Sequence, residues 1–193
     1  MAALYSSKKE ELMKGTFAAF HVSGGTTELL LVRPDERGFF AEKVGGTRDL
    51  NAGQIIDRIG VFLGMPFPAG PHIEKAAIEY NGKVPSKKVS VDGTYANLSG
   101  LENMAEKMYR ESGDAAKTSA FVLEYIGNSI AGMCENFINA YGDMPFVFAG
   151  GVMCNSLIKE KLKKKFNASF AEPMLSADNA VGIAELTRIL HTK

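Results

Sequence analysis

Residues 16–44 read TFAAFHVSGGTTELLLVRPDERGFFAEKV. The apolar, β-prone runs at 16–23, 27–33 and 38–44 are broken by Gly24-Gly25 and by Pro34-Asp35, pairs that force turns. Three consecutive strands joined by tight turns predict an antiparallel meander. The segments beyond the meander then set the fold class.

Past residue 44 the period changes. Ile55, Ile56, Ile59, Val61, Phe62 and Leu63 recur at helical spacing, so 49–63 is expected to be a helix. Pro66, Pro68, Gly70 and Pro71 interrupt it, and a new helix is expected over 72–80 behind a proline at its first turn. Residues 81–100 carry little periodicity and read as an irregular excursion with short strands. Helices are expected near 101–111 and 117–141, then a buried strand at 145–150. A helix at 155–165, a short strand at 167–172 and a last helix at 178–191 complete the chain. Antiparallel strands followed by helices alternating with short parallel strands predict an α/β fold with a mixed sheet. That order is the one found in an RNase H-like domain, half of an actin/hexokinase-type ATPase.

Upstream, MAALYSSKKEELMK reads as a helix tail with no cap at its front. Residues 1–15 are expected to be the remnant of an upstream helix or linker. Residues 16–193 are then one domain with a helical insertion at about 71–115. The length of 193 residues fits such a domain.

The bulk numbers exclude several classes. Twenty-two basic and 22 acidic residues balance, so the chain is not built to grip a polyanion unaided. Its nearest basic patch, Lys159, Lys161, Lys163, Lys164 and Lys165, reads as a solvated helix face. Two cysteines make no disulfide framework, and no apolar run approaches the roughly 20 residues of a membrane span. No secretory leader is visible at the start, and a cytoplasmic setting without membrane is expected.

Four stretches carry chemistry. At Ser23-Gly24-Gly25-Thr26 a double glycine between strands lets backbone N–H groups approach a phosphate, although an ordinary hairpin turn has the same sequence. Gly150-Gly151, between a buried strand and a helix, places peptide donors where a nucleotide can sit, with Asn155 as a further ligand or as the helix N-cap. On the helix at 49–63, Gly53 and Asp57 lie four apart on one face, so a ligand can approach the backbone at Gly53 while Asp57 accepts from ribose hydroxyls. The bland alternative is a surface Asp57 paired with Arg58 or Lys75. Asp178 precedes the last helix, as an N-cap or a metal ligand. His21, His72 and His191 have no paired spacing, so the chain has no complete metal site of its own.

Taken in order, FHVSGGTTELLLV, GGTRDLNAGQIIDRIGVFLGMPFPAGPHIEK, NLSGLE, FVFAGGVMCNSLIKEKL and ADNAVGIA resemble successive motifs of the TsaD/Gcp family. This is the family once called O-sialoglycoprotein endopeptidases or glycoproteases. The resemblance implies an ATP-binding fold of two related lobes that transfers a threonylcarbamoyl group from its adenylate to an adenosine of tRNA. Carried over by position, Ser23, Gly24 and Gly25 line the phosphate and substrate side, and Asp57 and Gly70 hold the ribose. Asn155 with Gly150 and Gly151 holds the nucleotide, and Asp178 is the metal aspartate. The implied cofactors are ATP or threonylcarbamoyl-AMP with a divalent metal held by this aspartate and two upstream histidines.

The departures are specific. The family's S-G-G-H turn ends here in Thr26, its A-G-E is Ala52-Gly53-Gln54, and a usual lysine is Glu102. The first domain and the upstream H-x-x-x-H are expected to be missing, either by excision or in a natural short paralogue, and the isolated chain is expected to be inactive. The implied partners are a nucleotide, the missing N-terminal domain or TsaB/TsaE-type proteins, tRNA only within an intact complex, and a second copy forming a homodimer. A noncatalytic nucleotide-binding or protein-interaction module is the alternative. Proteolysis is disfavoured, because neither a zincin motif nor a nucleophile–base pair is visible.

Overall fold

A computed structural model describes residues 2–36, 38–172 and 180–191. The meander forms as its sequence predicts, from β1 (Phe17–Val22), β2 (Thr27–Asp35) and β3 (Gly38–Thr47). β1 and β2 pair antiparallel with Phe17 opposite Val32 and Val22 opposite Thr27. β2 and β3 also pair antiparallel, with a register shift between Leu29 and Leu30. The helices α2 (Ala52–Phe62) and α3 (Gly70–Glu79) come next. Beyond them lie β4 (Ser90–Asp92), β5 (Tyr95–Asn97), α4 (Ser99–Ser112) and the long α5 (Ala115–Tyr141). The C-terminal part alternates β6 (Phe146–Ala149), α6 (Ser156–Lys163), β7 (Ala168–Phe170) and α7 (Ala180–His191). At the front, a short α1 (Ala2–Ser6) precedes a 3₁₀ turn, Glu10–Lys14.

Seven strands make one sheet in the order β4-β5-β3-β2-β1-β6-β7. β6 lies parallel to β1, and β7 parallel to β6. The stretch read as a helical insertion does more than insert helices. Its β5 runs parallel to β3 at Gly46–Thr47 and extends the sheet, with β4 antiparallel outside it.

The period-2 pattern of β1 divides the core. Ala18, Phe20 and Val22 face α2, α3, α5 and α6 within the main cluster, while Phe17 and Ala19 face a small cluster with Leu4, Val32 and Val147. Phe20 of β1 stacks on Phe148 of β6 with ring centroids 5.2 Å apart, and Phe148 on Phe170 of β7 at 4.9 Å. Such pairs stabilise neighbouring strands by about 0.5–1.5 kcal/mol beyond burial. α5 is buried along most of its length, and Asp114 caps it by accepting from Lys117 N at 2.8 Å. Among the described residues no helix is long and apolar enough to cross a membrane.

Candidate functional site

Because β6 runs parallel to β1, the β1–β2 turn and the β6–α6 connection lie at the same end of the sheet, and α2 and α3 close over it. The β1–β2 turn is tight: Ser23 N donates to Thr26 O at 2.7 Å, and Ser23 Oγ accepts from Thr26 N at 3.1 Å. Against it sits the start of α2. Gly53 N donates to Ser23 O at 3.1 Å, and Ala52 N to Thr27 Oγ1 at 3.0 Å. A Cβ on Gly53 would lie 2.6 Å from Gly24 N and 2.7 Å from Ser23 O, so only glycine permits this approach. At Gly150, φ is +99° and a Cβ would strike the Val22 carbonyl, which demands glycine for the same kind of reason.

Four other glycines are different. At Gly24, Gly25, Gly70 and Gly151 a Cβ would meet no atom within 4 Å, and none has a backbone angle in the left-handed region. The folded chain does not require glycine there. Gly24, Gly70 and Gly151 line a single cavity of about 320 Å³, together with Gly53, Asp57 and Asn155. The cavity joins segments more than a hundred residues apart in sequence. Six residues singled out from the sequence therefore surround or abut one space: Gly24, Gly53, Asp57, Gly70, Gly151 and Asn155. Ser23 sits behind it in the turn, Gly25 lines a neighbouring cleft, and Gly150 supports the connection from below. Asp178 lies outside the described residues.

The carboxylate of Asp57 is half-buried and accepts from Ala69 N at 2.8 Å through Oδ1. Asp57 thereby ties α2 to the α2–α3 loop, and neither of the cations considered for it is its partner in this bond. Arg58 instead pairs with Glu102 at 2.9 Å. Asn155 takes the N-cap alternative, its Oδ1 accepting from Ile158 N at 3.1 Å.

Glu74 lines the cavity and went unnoticed in the sequence. Its Oε1 accepts from Ser156 N at 2.7 Å and from Ser156 Oγ at 2.5 Å. The first amide of α6 is thereby already bonded to a carboxylate, and the start of α2 is bonded to the turn. These bonds already occupy the first amides of both helices. With two carboxylates on its wall, the cavity suits a ligand end rich in hydroxyl or amino donors. A signal for Glu74 was present. Gly70 and Glu74 stand four apart on α3, as Gly53 and Asp57 do on α2.

A second cleft, about 880 Å³, opens on the other side of Gly24 and Asp57, which line both spaces. Gln54 and Glu102 line it, with Gly25, the neighbour of Thr26. The three positions read from the sequence as departures, Thr26, Gln54 and Glu102, thus fall at or beside this cleft, while Gly70 and Asn155 line the first cavity and Asp57 lines both. As for a metal, among the described residues no three of His, Cys, Asp and Glu gather to hold one. Among the described residues the donor set does not complete a site for that group.

Sheet order, crossover helices and cavity position define an α/β domain of the RNase H-like, actin/hexokinase type. Solved structures agree: component A of the (R)-2-hydroxyglutaryl-CoA dehydratase of Acidaminococcus fermentans superposes with a TM-score of 0.57 at 13% identity, over 96% of this chain and 66% of that one. The activator of the 2-hydroxyisocaproyl-CoA dehydratase of Clostridium difficile, solved with bound ADPNP, gives 0.53 at 15% identity, over 99% and 69%.

The family is shown by sequence. The model of the tRNA N6-adenosine threonylcarbamoyltransferase family, TsaD, matches residues 2–185, and the chain belongs to that family. A tRNA N6-adenosine threonylcarbamoyltransferase of Bacillus licheniformis is 30% identical over 195 residues, covering 94% of this chain and 56% of that protein. One from Carboxydothermus hydrogenoformans is 33% identical over 174 residues, covering 84% and 51%. The chain spans about half the length of the curated relatives it matches.

Proposed function

We propose that this chain is the nucleotide-binding half of a TsaD-type enzyme and binds an adenylate in the 320 Å³ cavity. In this reading it contributes that site to threonylcarbamoyl transfer onto a tRNA adenosine, and alone it binds without turnover. The observation that supports it most is the set of glycines at positions 24, 70 and 151, which line the cavity although nothing in the folded chain excludes a side chain there. Close backbone approach by a ligand accounts for them.

The roles of the side chains come from their chemistry. Asp57, fixed by Ala69 N, and Glu74, fixed by Ser156, accept from ribose hydroxyls with their remaining lone pairs. Asn155 lies on the same wall beside Gly151. Gly24 lines both spaces, and the phosphate and the transferred group belong beside it, at the turn it shares with Ser23 and Gly25. A divalent metal with Asp178 among its ligands belongs to the same proposal. TsaB/TsaE-type proteins, tRNA bound only by the complete assembly, a second copy of the chain and a cytoplasmic setting belong to the same proposal.

The test is to join the chain to the portion of the Bacillus licheniformis relative that it does not span, then assay threonylcarbamoyl transfer to tRNA. Transfer that Asp57→Ala abolishes is expected. A folded chimera with no transfer would sink the enzymatic reading. One observation favours a second reading, a binding module without catalysis: Gln54, Glu102 and the neighbourhood of Thr26 all fall at the second cleft. A chimera that binds ATP but does not transfer would establish it.

A further inference from the structure

We propose that a groove between α3, α5 and α6 docks an amphipathic helix of a protein partner, one whose apolar stripe is flanked by carboxylates. This goes beyond the nucleotide reading and does not depend on it.

The groove, about 510 Å³, opens where the nucleotide cavity ends: Ala77 and Ile78 follow Glu74 on α3, and Leu157 follows Ser156 on α6. Ala77 of α3 and Ala120 and Leu123 of α5 are buried at its floor, while Ile78 and Leu157 stand 57% and 37% exposed at its sides. Val84, from the segment after α3, adds to the apolar lining. Tyr80 is pinned in place at the start of that segment. Its hydroxyl donates to Lys83 O at 3.4 Å, and a Cβ on Gly82 would strike its ring. The wall is therefore formed before any partner arrives.

The shape and the rim select the occupant. No lining residue belongs to a strand, so an extended peptide would find no sheet edge to pair with. A helix bonds its own backbone and presents apolar side chains at i, i+3, i+4 and i+7, as a groove between helices requires. Residues 81–89 carry Lys83, Lys87 and Lys88 and no acid, and these three ammonium groups meet no carboxylate among the described residues. Lys161 and Lys164 line the groove from α6 and its end. Lys161 is engaged by Glu124 and Asn128, whereas Lys164 reaches Glu160 only at 4.0 Å with both side chains exposed, a pair worth little. Lys159 and Lys163 turn elsewhere, over the Phe170 ring. With Glu79 included, five lysines stand against three glutamates at and around the groove, on a chain whose charges balance. Carboxylates on the partner meet that surplus. A nucleic acid fits less well: Ile78 and Leu157 offer a phosphate chain nothing, and Tyr80, the one aromatic ring among the lining residues, is held by the segment that follows it.

The test uses the whole chain and a fluorescein-labelled helical peptide with leucine at i, i+3, i+4 and i+7 and glutamate at the flanking positions. One control peptide has lysine for every glutamate, and another has the leucines scrambled. Fluorescence anisotropy should show saturable binding of the glutamate peptide, about tenfold weaker binding of the lysine peptide, and none of the scrambled one. Ile78→Ser and Leu157→Ser should each weaken the glutamate peptide by about tenfold, as loss of a buried aliphatic contact does. Both side chains are exposed in the free chain, so both variants are expected to remain folded, which circular dichroism checks. No saturable binding, equal binding of the glutamate and lysine peptides, or binding that neither substitution weakens overturns the proposal. Displacement of the peptide by an equal concentration of single-stranded RNA overturns it in favour of a polyanion. A dimer in sedimentation that Ile78→Ser dissociates, without peptide binding, overturns it and assigns the groove to contact between copies.

Discussion

Gly53 sets two effects against each other. In a helix interior, alanine is favoured over glycine by about 1 kcal/mol. Here the added methyl would press on backbone atoms at 2.6–2.7 Å in the Ser23-Gly24 turn. Backbone cannot step aside as a flexible side chain would, and overpacking of this kind costs about 1–3 kcal/mol. Gly53→Ala is therefore expected to destabilise the protein in urea titration; a stabilised variant would show that the turn yields freely. Ser119 is the opposite case. Its hydroxyl is fully buried in α5 and has no hydrogen-bond partner among the described residues. A buried unmatched polar group costs about 1–3 kcal/mol, so Ser119→Ala should leave the melting temperature unchanged or raise it. A fall of several degrees would reveal a partner for the hydroxyl.

Between elements, Asp49 forms the joint that holds α4 to the end of β3. It accepts from Leu98 N at 2.8 Å, Ser99 N at 2.9 Å and Leu50 N at 2.7 Å. Burial opposes its charge, but the bonds from Leu98, Ser99 and Leu50 outweigh that and hold its pKa below the ordinary 3.8. The folded value is the lower one, so the unfolded chain binds more protons in that window. Stability from Asp49 is full above 3.8 and is lost as pH falls through the folded value. Asp49→Asn should cost about 0.5–1 kcal/mol at pH 7, the low end for a cap because the carboxylate is exposed. The cost should shrink as the pH drops below about 4, where the native carboxylate also begins to lose its charge. Equal costs at pH 7 and pH 3 would contradict the capping role. Lys161 makes another such link from α6 to α5, reaching Glu124 Oε1 at 2.6 Å and Asn128 Oδ1 at 2.7 Å.

These joints show why some elements were legible in the sequence and others were not. The meander, α2, α5 and the β6–α6 unit each announce themselves through local periodicity and turn residues. β5 does not, because its three residues are held by pairing with β3 about fifty positions earlier. Glu74 and Ser156 are 82 residues apart, and no local pattern encodes their bond. The glycines at 24, 70 and 151 were visible individually, whereas their convergence on one cavity depends on the sheet order.

At the scale of the molecule, one face of the sheet carries the large core under α2, α3, α5 and α6, and the other carries a small cluster near the chain's first residues. The cavity and the second cleft meet at Gly24 and Asp57. Gly70, Gly151 and Asn155 line the first only, and Gly25, Gln54 and Glu102 the second only. The central claim of the proposal is that the first cavity binds a nucleotide. Isothermal titration calorimetry of the chain with Mg-ATP, beside Asp57→Ala verified as folded by circular dichroism, tests it most directly. Saturable binding that Asp57→Ala weakens at least about tenfold, the equivalent of about 1.4 kcal/mol, is the predicted result. No binding, or binding that Asp57→Ala leaves unchanged, would contradict it.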